Sequence, residues 1–177
     1  MRRFVSRIAL GAAVLAALGT STAPAVAAPP APKAPVAMTW TLLGDGPSGT
    51  VHVGGGPLSD PYVGDTPTTS VLPLLCLRIN NSPVPAGLVP DFYAGWARGE
   101  VAATRPIRGN RLTSRAVADQ VCANTFGTGW RMAEFHDGRH GPNLEYSGGW
   151  SYYAYGDVPL GVRFWTAIND QASNPWS

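Results

Sequence analysis

The chain has 177 residues, 45% of them hydrophobic and 14% charged, with a formal net charge of +2. That length holds one domain with a substantial core. The near-balanced charge gives no electrostatic case for nucleic acid or an anionic membrane as partner.

Arg2, Arg3 and Arg7 precede an apolar run from Ile8 to Gly19, and Ala25-Val26-Ala27 follows. A charged leader, a short apolar stretch and a small-x-small site make a Sec-type signal peptide. The run is too short to cross a bilayer as a helix, which needs about 20 apolar residues. Arg2-Arg3 invites a twin-arginine reading, but Phe4 follows directly, and no cysteine stands at the cleavage site to carry a lipid. Cleavage is expected after Ala27, giving a secreted or extracytoplasmic product. It keeps ten basic and eleven acidic residues, a formal charge of −1. No later segment is apolar enough to insert in a membrane.

Residues 28–37 (APPAPKAPVA) are Pro/Ala-rich and read as an extended linker, with a single globular domain over 38–177. Residues 40–43 and 50–53 are short strand candidates separated by the turn residues Gly44 to Pro47. Residues 54–69 carry repeated Gly-Pro and Asp-Pro breakers and read as loop. The most apolar stretch, Val71 to Ile79, suits a buried strand, with Pro73 marking an edge position or an irregular start.

One helix is expected after Thr113 or Ser114 as cap. Val117, Ala118, Val121, Cys122 and Thr125 form its apolar side, and Gly127 supplies the stop. Cys76 and Cys122 are the only cysteines. In an oxidising compartment they most simply form a disulfide, worth roughly 3–4 kcal/mol for the loop it closes; two buried thiols are the alternative. Residues 130–135, 150–155 and 162–168 read as further strands. The expected class is α+β, a small and mostly antiparallel β domain with one main helix.

The helix from Ser114 to Cys122, then FGTGWRMAEF (126–135) and RFWTAINDQ (163–171), resemble the first half of a C-type-lectin-like domain. In that family a cysteine-bearing helix leads through glycines to a strand, and a later WIGL-type strand, here Phe164 to Asp170, sits in the core. The resemblance implies a C-type-lectin-like C-terminal part. It does not extend to the family's calcium-dependent sugar loops, which lie beyond the WIGL-type strand, nor to its usual cysteine pairing. A group of secreted bacterial proteins is more similar, sharing FGxGWRMAEFHDG, GGWxxxAYG and RFWxAINDQ.

Three clusters are candidates for chemistry. Glu134, His136 and His140, with Asp137 orienting an imidazole, offer two histidines and a carboxylate for zinc. The plainer reading is an ion pair plus turn hydrogen bonds. Asn169 and Asp170, with Gln171 and Asn174, offer oxygen ligands for calcium, helped by Asp65 and Asp137 if the fold gathers them; Asx turns would use the same residues. Trp150, Tyr152 and Tyr153 would form an aromatic platform for sugars or peptides if exposed. The reading carried forward is a secreted, non-catalytic recognition module, without cofactor, binding a surface glycan or protein through Trp150, Tyr152 and Tyr153. The alternatives are a metal-assisted extracellular hydrolase at Glu134, His136 and His140, and a structural envelope protein.

Overall fold

A computed structural model describes residues 35–176. The signal peptide and residues 28–34 of the Pro/Ala-rich segment lie outside the described residues. In chain order the strands are β1 (Val36–Ala37), β2 (Thr39–Asp45), β3 (Thr50–Gly54), β4 (Thr66–Pro67), β5 (Val71–Leu72), β6 (Leu75–Ile79), β7 (Gly95–Ala103) and β8 (Ile107–Arg108). The helix α1 (Arg115–Phe126) follows, then β9 (Arg131–Met132), β10 (Arg139–His140), β11 (Tyr146–Ser147), β12 (Ser151–Asp157) and β13 (Arg163–Trp165). Among the described residues, one α-helix with mostly antiparallel strands makes a small α+β domain. Val36 and Ala37, counted with the linker from sequence, already pair with Thr66 and Pro67. Among the described residues no helix is long and apolar enough to cross a membrane.

The main sheet runs β11-β10-β7-β12-β3-β2-β13, with β6 also on β7 and β9 on β6. Of its strand pairs among the described residues, β7 with β12 is the parallel one. Two bridges, Leu74 to Trp165 and Glu134 to Ala167, bring the last strand back toward β6 and the segment after β9. The pairings therefore return to their start, around a core that includes Trp40, Val53, Leu75, Leu77, Tyr152, Ala154 and Phe164. A second core, with Leu74, Cys76, Met132 and Trp165, lies under α1. Alternate residues of β6 enter the two cores, which is why its sequence is a continuous apolar run without period-two alternation. Pro73 splits the expected Val71–Ile79 strand into β5 and β6.

Ser114 caps α1 by accepting the Val117 N–H at 3.2 Å, and Gly127 ends it at φ 106°. The buried stripe is not the one expected. Ala118 and Cys122 face inward, but Val117 and Thr125 are exposed. The helix meets β9 partly through polar side chains: Arg115 donates to the Met132 carbonyl at 2.7 Å, and Asp119 accepts the Met132 N–H at 2.9 Å. These bonds turn the 115/118/119/122 face toward the sheet. The disulfide joins Cys76 on β6 to Cys122 on α1 with Cα atoms 5.7 Å apart.

The longest strand, β7, has no counterpart in the sequence reading. Its alternation is broken at Arg98, which sits at φ 58°, and at Gly99, where a Cβ would overlap the Arg78 carbonyl of β6.

Candidate functional site

Glu134 sits at the seam where the sheet returns on itself. Its side chain is buried and fully engaged. Oε1 accepts from His136 Nδ1 at 3.0 Å and from the Asn169 N–H at 3.1 Å, while Oε2 accepts the His136 N–H at 2.7 Å. A carboxylate can only accept, so Nδ1 carries a proton, and in a neutral imidazole Nε2 would then be the lone pair. One side chain thus fixes the imidazole and ties the 134–136 turn to the 169–171 turn. Nε2 lies 3.8 Å from Asp170 Oδ2.

Beside these two groups is an open cleft of about 160 Å³, lined by Tyr62, Phe92, Phe135, His136, Trp150 and Asp170 together with Pro61, Ile168 and Gln171. The rings are held by rigid turns. Asp60 Oδ1 accepts the Tyr62 and Val63 N–H groups, and Asp91 Oδ1 accepts those of Tyr93 and Ala94, so both exposed aromatics ride on Asx turns. The first of these loops is pinned further by Asp65, which accepts from the Asp60 N–H and pairs with Arg163. Gly149 donates to the Phe92 carbonyl at 2.9 Å, and a Cβ on it would overlap the Phe135 ring. The glycine pair before Trp150 therefore lets Phe92 and Phe135 close on the segment. Trp150 itself stands at φ 74°, a left-handed conformation that bulky residues rarely adopt. It leaves the strand alternation there, so its ring lines the cleft instead of following Tyr152 into the core.

The sequence-predicted residues fall in different places. Trp150, His136 and Asp170 come together in the cleft. Tyr152 does not: it is fully buried against Trp40, with ring centroids 5.2 Å apart, and is a core residue, not a surface contact. Burial, with the nearby Asp137 charge, pushes its phenol well above the usual range. Tyr153 points the other way along β12 and stacks on His52 at 4.2 Å. The zinc set is not assembled. His140 stands on β10 between Phe92 and Tyr146, and the Glu134 oxygens are occupied by His136 and the backbone. Among the described residues no three His, Cys, Asp or Glu side chains form a metal-holding group.

Asp137 does not orient an imidazole. It pairs with Arg131 through both oxygens and accepts the Glu134 N–H at 2.7 Å. Burial works against the Arg131 charge, but Asp137 outweighs it and holds the guanidinium above its usual pKa. Asp65 is engaged with Arg163 and Thr39, so the calcium set imagined with Asp137 is divided between two ion pairs. Asn169 is used through its backbone N–H and Asp170 is exposed at the cleft. Sequence reasoning missed Tyr62 and Phe92. The signal was an aromatic immediately after a turn-forming Asp-Pro or Pro-Asp.

Compared with known protein families, curated proteins and solved structures, the chain matches none.

Proposed function

We propose that the protein is a secreted, non-catalytic recognition module whose cleft seats one group projecting from a surface glycan or protein. The observation that carries this reading is the meeting of four aromatic side chains with His136, Asp170 and Gln171 in one cleft, on turns that are already hydrogen-bonded. Its volume of about 160 Å³ is below the roughly 300 Å³ at which ordinary small-molecule sites begin. It suits one ring or head group of a larger ligand better than a whole free metabolite. The signal-peptide pattern of residues 1–27 supports export. The likeness of residues 114–171 to the first half of a C-type-lectin-like domain supports a binding role outside the cell.

The test is binding of the mature protein to purified surface polysaccharides and surface proteins, comparing Trp150→Ala with Tyr153→Ala. The cleft reading expects Trp150→Ala to weaken binding about tenfold or more, as for a central aromatic anchor, and Tyr153→Ala to bind like wild type. Full binding by a folded Trp150→Ala variant would sink it.

A further inference from the structure

We propose that the group seated in the cleft is an alkylammonium, a methylated nitrogen cation of the choline type. The proposal rests on the recognition reading above and names the chemistry of the occupant.

The walls include aromatic rings set at steep angles to one another. Trp150 lies 6.4 Å from Tyr62 with planes 64° apart, and 5.5 Å from Phe135 with planes 66° apart. Phe92 lines the same hollow. A sugar ring stacks on one broad, open aromatic face, whereas inclined rings enclose a compact and nearly spherical group. Aromatic faces carry negative electrostatic potential and attract a cation within about 6 Å of the ring centre, tryptophan most strongly.

The polar wall points to the same sign of charge. His136 Nδ1 is committed to Glu134, so in the neutral ring Nε2 faces outward as an acceptor. Asp170 Oδ2, 3.8 Å away, is an acceptor and an anion. A positive group seated here is favoured by the carboxylate charge of Asp170 at the cleft wall. Asp170 is the one carboxylate among the described residues lining the cleft, and no lysine or arginine lines it. A hydrated metal ion would meet one carboxylate beside His136 and Gln171, and would gain nothing from the apolar walls. An organic cation uses both, its methyl groups against the rings and its charge beside Asp170.

The experiment is calorimetric titration of the mature protein with choline, with tetramethylammonium, with dimethylbutanol as the uncharged isostere of choline, and with N-acetylglucosamine. Both cations are expected to bind, with the isostere about tenfold or more weaker. Asp170→Asn and Trp150→Ala should each weaken choline several-fold. Tyr62→Ala should do the same, and its exposed position leaves the fold intact. Equal affinity for choline and its isostere would overturn the proposal, because the cleft would then be reading shape alone. Trp150-dependent binding of N-acetylglucosamine without choline binding would also overturn it, yet leave the recognition reading standing. Surface-ligand binding that Trp150→Ala leaves unchanged would remove both. Phosphatidylcholine vesicles against free choline separate the sources: capture by vesicles assigns the group to a lipid head, and binding of free choline alone to a soluble or polymer-borne one.

Discussion

His52 shows how a single side chain ties pH to stability without belonging to the cleft. Ser151 Oγ donates to the Tyr93 carbonyl at 2.6 Å, so its one proton is used. His52 Nε2, 2.7 Å from that oxygen, must therefore be the donor, which fixes the imidazole as the Nε2–H tautomer. Burial lowers its pKa below the ordinary 6.5, against a weaker pull upward from Asp91. Below about pH 6.5 the unfolded chain takes up a proton that the folded state resists, so this residue's contribution is present above that pH and is lost as pH falls below it. Other side chains also change charge with pH, so the comparison must be with a variant. In His52→Gln the amide can still donate to Ser151. Its midpoint of thermal unfolding is expected to fall less than wild type's between pH 7.5 and 5. Parallel curves would show that His52 does not couple to folding.

At the scale of elements, the disulfide holds α1 to β6. Both cysteines are fully buried in the second core, and the bridge closes a loop 46 residues apart in sequence. Chain entropy sets its worth at about 4 kcal/mol. The Cys76→Ala/Cys122→Ala double variant is expected to melt about 10–15 °C lower by calorimetry. A shift of only a degree or two would mean that the Arg115 and Asp119 bonds to β9 hold the helix on their own. The ends of α1 and the cysteine pairing were legible in the sequence because Ser114, Gly127 and an even cysteine count act locally. The strands β2, β3 and β12 were legible for a similar reason, each being bounded by turn residues. The strand β7 was not, since its logic is non-local: Gly99 is small because β6 passes against it, and Arg98 bulges out of the alternation. The cleft was half legible. His136, Trp150 and Asp170 stood out by chemistry, but Tyr62 and Phe92 reach it from loops far away in sequence. Alternation assigned Trp150 to the face of Tyr152, and a single left-handed φ at Trp150 separates them.

Over the whole molecule the pairings form a circuit, and a circuit has consequences for cooperativity. Trp165 stands where it closes. Its N–H donates to the Pro73 carbonyl at 2.9 Å, its indole N–H donates to the Ile107 carbonyl at 3.0 Å, and its ring packs in the second core against Trp176. The preceding residue, Phe164, lies in the first core. Neither core can therefore loosen at this strand without disturbing the other. Removing the ring by Trp165→Ala should cost about 3–5 kcal/mol, as for other large aromatic truncations. The loss should appear as one transition at lower denaturant, with helical far-UV signal and tryptophan fluorescence moving together and an unchanged slope. Two separated transitions, the helix signal melting first, would show that the core under α1 is an independent unit and that the bridges at Leu74 and Ala167 are too weak to couple the faces. The cleft gives this prediction a functional edge, because Glu134 lies at the same seam and bonds across it to Asn169. If the circuit unfolds as one, the 134–136 and 169–171 turns stay in register up to the global transition. Ligand binding to the Trp165→Ala variant, measured well below its midpoint, is then expected to match wild type.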